Sequence, residues 1–491
     1  MSASANPATV PIPAADQTWL HMDRANNLMH VHGLMRFAET PDWDAVRAVV
    51  QERLVDKFPV FSMRPRKSAD GWVWEKDPDF DLDRHVHHVR MPEGHGIEQL
   101  REHVSKGFAE ALTSDKALWE VDLIEGVEGP DGEVSSYVFT RFHHAMADGI
   151  RTVQLLLSLC DIEAKGEGDA QPPKVGRSLA GGPSLGAALR RTTKDVADLA
   201  VGVSSGLLRL PVEMLKPKGF YKSLDLAVHP SRLIDLVAGL ADESNATVNT
   251  LAETARLAFA PRSVETSWSG TPGVEKRVDW VTDLPLKQVK SIGRRHDATV
   301  NDVLLATVSR ALSRYLMEHG RMVDEISWLV PVSLQPMDSN LPESLGNHFS
   351  LVFLPMPLGI ESPTELFAAL RSRMNRIKNS AEPVVSFGLQ WLVAESPQIV
   401  ASRLTNLFAN KGVGVLTNVP GPKAPMSLAG TPITSVLGWA PTSGDQPLSL
   451  CIFSYNGQVS MGIAADGGLI PDPGRIADLI REEFEVLAAS A

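Results

Sequence analysis

The chain contains the stretch HHAMADG, which is His143-His144-Ala145-Met146-Ala147-Asp148-Gly149, directly after an apolar run over residues 137–142. The apolar run predicts a strand that ends at the two histidines and continues into a loop. Histidine has an unperturbed pKa near working pH, so it can accept and return a proton during a reaction. Because side chains alternate along a strand, we expect His143 and His144 to point in opposite directions, one toward the chemistry and one into packing.

Two other interpretations of this stretch are less favoured. In the first, this is a strand end whose histidines only satisfy local hydrogen bonds. A chance match to HHxxxDG in a chain of this composition is unlikely, on the order of a few per thousand. A metal site needs its ligands on one face, and neighbouring strand residues do not share one. The pattern therefore favours proton chemistry at the strand end over a metal site.

Length and composition limit the class of protein. A chain of 491 residues predicts two or more domains, and 43% hydrophobic with 22% charged residues is typical of a globular protein. Cys160 and Cys451 form no disulfide framework, which fits a reducing compartment. Because the sequence contains neither a signal-peptide pattern nor an uncharged apolar run of about 18 residues, we expect a cytoplasmic protein.

The charge is unevenly distributed. A net charge of −12 argues against bulk nucleic-acid binding, but the segment Lys174–Lys222 carries nine basic and three acidic residues. One interpretation is an ordinary surface helix pair between domains. The other is an interfacial segment that rests on an anionic lipid surface, and the basic excess beside apolar residues predicts such peripheral attachment.

The predicted elements alternate between strands and helices, which indicates an α/β protein. Residues 163–183 are rich in Gly, Pro and charge and predict a linker, and Asn456-Gly457 predicts a hairpin turn. Helices are predicted over residues 44–58, 97–111, 152–159, 299–316 and 363–378, and strands over 118–124, 134–142, 326–332, 351–355, 413–417, 448–455 and 459–464.

Three further motifs have less specific interpretations. Gly182-Pro183-Ser184-Leu185-Gly186 matches the G-x-S-x-G nucleophile pattern, but its linker-like setting argues against a hydrolase site. His85, His87 and His88 are better explained as a solvated strand end than as metal ligands. Asn301 and Asp302 either cap a helix or offer the Asn301 amide to an oxyanion.

Several short elements accompany HHAMADG in a fixed order. The set resembles the bacterial wax ester synthase/diacylglycerol acyltransferase family of the HHxxxDG acyltransferase superfamily, which also includes condensation domains and chloramphenicol acetyltransferase. The resemblance covers nearly the whole chain, with Ala117 standing where the family usually has proline. Its elements are Met29-His30-Val31, Leu118-Trp119-Glu120, Thr299-Val300-Asn301-Asp302-Val303, Pro331-Val332-Ser333, Gly346-Asn347, Asn418-Val419-Pro420-Gly421-Pro422 and Ser454-Tyr455-Asn456-Gly457.

The resemblance implies two chloramphenicol-acetyltransferase-like domains, each a mixed sheet with flanking helices, with an active-site tunnel at their interface. The domains would span residues 1–170 and 226–491, joined by the basic and apolar linker 171–225. Acyl-CoA would enter from one side and a long-chain alcohol or diacylglycerol from the other. Acyl-CoA is then a substrate, so no cofactor and no metal are expected.

The resemblance also implies roles for individual residues. His144 would be the general base and Asn301 the oxyanion donor, and His143 would support the site. Asp148 would pair with an arginine, Arg64 being the candidate, and Gly149 would allow a tight turn. Substrate-binding roles are expected for Trp119, Asn418, Pro420 and Gly421. The alternatives left open are a carrier-protein-dependent condensation enzyme and a non-catalytic lipid-binding or lipid-droplet protein of the same fold.

Overall fold

The computed structural model describes residues 9–69, 71–162, 263–333, 349–378, 386 and 405–489. The linker 171–225 with its basic segment, the G-x-S-x-G match at 182–186 and Gly346-Asn347 lie outside the described residues. We refer to residues 9–162 as the first half and to residues 263–489 as the second half. Both halves combine sheets with flanking helices, so the fold is mixed α/β with the expected two-domain architecture.

Sixteen strands and eight α-helices lie within the described ranges. The strands are β1 Thr9–Pro11, β2 His30–Phe37, β3 Met63–Ser68, β4 Gly71–Lys76, β5 Val86–Arg90, β6 Trp119–Glu128, β7 Val134–His143, β8 Asp161–Ile162, β9 Lys276–Pro285, β10 Glu325–Ser333, β11 Phe349–Pro357, β12 Gly414–Pro420, β13 Met426–Leu428, β14 Thr431–Trp439, β15 Leu448–Tyr455 and β16 Gln458–Asp466. The helices are α1 Ala14–Met22, α2 Trp43–Val50, α3 Ile97–Ala109, α4 Gly149–Ser158, α5 Leu286–Arg295, α6 Val300–Glu318, α7 Pro363–Lys378 and α8 Pro473–Ala489. In this part of the chain, no helix combines the length and the apolar character needed to cross a bilayer.

The strands form three sheets. The seven-stranded sheet has the order β5-β6-β7-β2-β14-β13-β8, and the six-stranded sheet has the order β11-β10-β12-β15-β16-β9. A small sheet, β1-β4-β3, lies beside α1. The central strands of the large sheets are buried on both faces, which explains why β7 and β15 appear in the sequence as nearly continuous apolar runs.

Local sequence signals explain where several elements begin and turn. The Asp148 carboxylate accepts the Arg151 N–H and caps α4, and Thr299 and Asp302 form a reciprocal capping box at the start of α6. Asn456 and Gly457 have φ values of 45° and 79°, which is the type I′ geometry of a two-residue hairpin between β15 and β16.

Two predicted boundaries differ from the structure. The first helix ends at Val50 and continues as a π-helical turn over Gln51–Val55, before Pro59 begins a short 3-10 helix. The strand predicted over residues 118–124 extends further, because β6 continues to Glu128 through an irregularity in its pairing between Ile124 and Val127. The positive φ of Gly126, 82°, allows the strand to continue past that irregularity.

Two strands cross between the halves. By chain position β13 and β14 belong to the predicted second domain, 226–491, yet β14 pairs antiparallel with β2 of the first half, with Val436 opposite Met35. β13 pairs in turn with β8. The seven-stranded sheet is therefore built from both halves, and the region where the two large sheets approach each other is shared.

Candidate active site

A cavity of about 440 Å³ is lined by side chains from both halves. The first half contributes α1, the beginning of β2, and the HHAMADG loop with α4. The second half contributes the strands β10, β11, β12, β14 and β15. The lining is predominantly apolar and includes Met29, Val31, Leu156, Leu329, Phe353, Val419, Val436 and Phe453. A cavity of this size and character suits an apolar small-molecule substrate.

His144 lies in the wall of this cavity. Its backbone N–H donates to the Met29 carbonyl at 2.7 Å, which fixes the start of the loop against β2. Its ring stacks on the indole of Trp19 from α1, with ring centroids 3.8 Å apart and planes 19° from parallel. The side chain is 6% exposed, so an apolar environment surrounds the proposed base.

His143 points away from the cavity into the protein. It is 1% exposed, its Nε2 lies 3.2 Å from Asp23 Oδ2, and its Nδ1 accepts the Ala145 N–H at 3.0 Å. Because Nδ1 is the acceptor of a backbone N–H, the ring proton of the neutral form lies on Nε2 and is donated to Asp23. His143 thus holds the loop, and the two histidines have the opposed environments that the strand alternation predicts.

A group of buried histidines surrounds this pair. Burial, with His143 and His32 next to it, holds the pKa of His30 well below its ordinary value. Burial and the Arg141 guanidinium lower the pKa of His32, which also lines the cavity, to about 3. Burial alone would raise the pKa of Asp23, but the hydrogen bond with His143, the nearby histidines and the Met29 N–H together outweigh burial and lower it. His30 and His32 are therefore neutral near pH 7, and Asp23 is ionised.

Asp148 and Gly149 also line the cavity. Asp148 caps α4 by accepting the Arg151 N–H at 2.8 Å, which fixes the direction in which the loop leaves the site. The structure pairs Arg64 with Glu75 at 3.3 Å rather than with Asp148, because Arg64 lies on β3 facing β4. Gly149 is the first residue of α4 and its φ is not positive, so no left-handed backbone conformation requires glycine at this position. A Cβ at Gly149 would meet nothing within 4 Å, so the backbone there borders open space.

The side chains of Asn301 and Asn418, both in the second half, form a hydrogen bond with each other. The Asn418 amide, which lines the cavity, donates its Nδ2 hydrogen to Asn301 Oδ1 at 3.0 Å. Since Thr299 and Asp302 already cap α6, the Asn301 side chain is not needed for capping. Asn301 itself does not line the cavity and reaches it through its contact with Asn418, and with its oxygen occupied its amide N–H groups are the part of the side chain that can donate.

Trp119 is not part of the cavity wall. It is 0% exposed, its Nε1 donates to the Phe61 carbonyl at 2.8 Å, and its ring stacks on His85 at 4.6 Å. The structure therefore places Trp119 in the core of the first half rather than at a substrate. This stack also buries His85, so the solvated strand end expected for residues 85–88 is wrong at its first histidine.

Pro420 and Gly421 shape the end of β12 instead of lining the cavity. Pro420 pairs with Ser454 of β15, and the Gly421 N–H donates to the Ser454 carbonyl at 2.8 Å. A Cβ at Gly421 would lie 2.5 Å from that carbonyl oxygen and 2.6 Å from the Phe453 ring, so only glycine permits this approach.

Sequence reasoning missed two residues that contact the histidine pair. Trp19 lies on α1 and Asp23 directly follows that helix, yet no helix was predicted there. Nine residues with a weak apolar face give little periodic signal, and the contacts join residues more than 100 positions apart in the chain.

Two family models match the chain over most of its length. The model described as the wax ester synthase/diacylglycerol acyltransferase catalytic domain matches residues 12–304, and the WS/DGAT C-terminal domain model matches residues 345–488. Among curated proteins, a putative diacylglycerol O-acyltransferase of Mycobacterium tuberculosis is 26% identical over 455 residues, covering 89% of this chain and 81% of the relative.

Solved structures show the same fold. The wax ester synthase/diacylglycerol acyltransferase from Marinobacter aquaeolei VT8 superposes with a TM-score of 0.64 at 17% identity, covering 98% of this chain and 99% of that one. The first condensation domain of the calcium-dependent antibiotic synthetase gives a TM-score of 0.55 at 12% identity, covering 98% and 95%.

Proposed function

The chain belongs to the wax ester synthase/diacylglycerol acyltransferase family and is an O-acyltransferase, and from this premise we propose that it transfers an acyl group from acyl-CoA to a long-chain alcohol or diacylglycerol. His144 is the proposed general base. The observation that carries this proposal is the position of His144 in the wall of an apolar cavity to which both halves contribute. Two apolar substrates would meet there with little water between them.

The proposed reaction needs no covalent acyl-enzyme, because a thioester carbonyl is already electrophilic. His144 accepts the proton of the acceptor hydroxyl while its oxygen attacks the thioester carbon. The tetrahedral oxyanion receives hydrogen bonds from the Asn301 amide, whose orientation the contact with Asn418 supports. The carbon–sulfur bond then breaks, and His144 returns the proton to the departing CoA sulfur, giving the ester and free CoA thiol.

His144→Ala tests this mechanism. We expect release of free thiol from palmitoyl-CoA, with hexadecanol or dipalmitoylglycerol as acceptor, to fall by about 10²- to 10⁴-fold, the usual contribution of acid–base catalysis. His95→Ala is the matched control, because this histidine follows Pro92 in a loop outside the cavity lining. A His144→Ala protein that folds and turns over like the parent rules out His144 as the base.

The same assay separates the alternative functions. A condensation enzyme would use an acyl chain on a carrier protein and leave acyl-CoA untouched. A lipid-binding protein would bind the acyl chain without releasing thiol from either donor. The likeness to a condensation domain concerns the fold, so it does not favour the first alternative.

Peripheral attachment to membrane or lipid inclusions stays a prediction. It depends on the basic segment Lys174–Lys222, which lies outside the described residues. The charge of that segment supports the proposal, because clusters of Lys and Arg are attracted to anionic lipid surfaces.

A further inference from the structure

The Trp19 indole covers one face of the His144 imidazole. Centroids 3.8 Å apart and planes only 19° from parallel describe a face-to-face contact rather than an edge contact. Trp19 also lines the same cavity, so its ring lies where the reacting groups meet. No step of the proposed reaction involves this indole directly.

Helix α1 is anchored independently of the stack. The Gln17 amide donates to the Ile12 carbonyl at 2.7 Å, and Trp72 of β4 donates its indole N–H to His21 Nε2 at 3.1 Å. Asp16 on the same helix is buried. These contacts fix α1 against the small sheet, so the position of Trp19 is determined by the fold.

We propose that Trp19 is a positioning residue for His144, which orients the imidazole plane and stabilises the imidazolium formed when His144 holds the acceptor proton. The proposal rests on the proposed function, because it requires His144 to become charged during turnover. The face of an indole carries negative electrostatic potential and attracts a cation, most strongly where water is excluded. The neutral imidazole gains less from this contact than the imidazolium, so the stack favours the transition state over the ground state.

Other groups also act on the charge of His144. Asp148 and His32 line the same cavity, while His143 and Asp23 lie behind the loop. Their contribution is common to the parent and to variants at Trp19, so a comparison within that series isolates the indole.

The experiment compares Trp19→Phe and Trp19→Leu with the parent enzyme. Phenylalanine keeps a weaker aromatic face, whereas leucine keeps an apolar side chain without one. We expect kcat to fall in the order Trp, Phe, Leu, with a loss of about 3- to 30-fold for leucine from the cation–π contribution. The KM for acyl-CoA should stay within about twofold of the parent value. The acidic limb of the plot of kcat/KM against pH should shift to lower pH, because the imidazolium is stabilised less in the variants.

Trp43→Leu is the matched control, because it removes an indole that also stacks on a histidine, His88, but belongs to α2 and does not line the cavity. We expect it to lower the unfolding temperature and to leave kcat unchanged. A second readout without turnover is the emission of Trp19, taken as the parent spectrum minus that of Trp19→Phe, which should fall as His144 becomes protonated.

Three outcomes would overturn the inference. They are unchanged kcat in a folded Trp19→Leu protein, an effect on KM alone, and an equal loss of kcat in Trp43→Leu. If His144→Ala itself remains active, the proposed function has failed. If His144→Ala is inactive while Trp19→Leu is not, the inference about Trp19 has failed by itself.

Discussion

Asp23 uses both of its carboxylate oxygens to hold the loop that carries His144. Oδ1 accepts the Met29 N–H at 2.7 Å, and Oδ2 lies 3.2 Å from His143 Nε2. An amide has a single oxygen, so Asp23→Asn leaves one of these buried donors without an acceptor. We expect the free energy of unfolding to fall by about 1–3 kcal/mol in urea titrations. The kcat should also fall, because His143 in turn orients the Ala145 N–H beside the base.

Asp44→Asn is the control for this substitution, since Asp44 is exposed on α2. It should change the free energy of unfolding by no more than about 0.5 kcal/mol. If Asp23→Asn matches the parent both in stability and in kcat, the carboxylate does not hold His143 in the catalytic arrangement.

Three elements of the first half are joined by one buried carboxylate. Asp122 on β6 lies 2.9 Å from His87 of β5 and 2.9 Å from His103 of α3. Burial would raise the pKa of Asp122, but the hydrogen bonds from His103 and His87 outweigh it and lower the pKa to about 2. The hydrogen bond with Asp122 also raises the pKa of His87 above its ordinary 6.5, against the opposing effect of burial.

These shifts give the network a defined pH range. The Asp122 contribution is complete above its ordinary pKa of 3.8 and is lost as the pH falls through about 2. The His87 contribution is complete below 6.5 and is lost as the pH rises through its raised pKa. We expect Asp122→Asn to lower the free energy of unfolding by about 2 kcal/mol near pH 5, and to flatten its decline between pH 4 and 2.

Glu128→Gln is the control for the network, because Glu128 ends the same strand outside it and accepts the Gly94 N–H near the surface. Urea titrations from pH 2 to 8 provide the measurement. The same pH dependence in Asp122→Asn and in the parent would mean that the network does not govern acid stability.

Elements with a strong local pattern could be predicted from the sequence, whereas the contacts that assemble the site could not. The helix over residues 363–378 and the strand over 448–455 have the predicted ends, since their apolar periodicity and flanking breakers are local. The sequence motifs predict His144 and Asp148 of HHAMADG and Asn418 of the Asn418–Pro422 element at the site, and all three line the cavity. The pairing of β14 with β2 joins residues about 400 positions apart, and no periodicity within either strand specifies its partner.

The two halves are joined at the scale of the whole molecule by β14. Its Val436 pairs with Met35 of β2, and its side chain belongs to the same buried cluster as Trp119 and Phe142. A change at residue 436 therefore acts on the core of the first half, although the residue belongs to the second half by chain position. The strand also lines the cavity, so the joining of the halves and the formation of the site depend on the same residues.

Val436→Asp should detach this strand, because it places an unpaired charge in that core. We expect the free energy of unfolding to fall by more than about 3 kcal/mol. Hydrogen exchange measured by mass spectrometry should accelerate in peptides covering β2 and β7, because loss of β14 exposes the edge of β2. Pro432→Asp is the matched control, since Pro432 is exposed near the start of the same strand and lies opposite Ser427 of β13 rather than opposite β2, and its exchange pattern should match that of the parent. Acceleration confined to peptides from the second half would show that the seven-stranded sheet does not depend on β14, and that the halves are stable without sharing it.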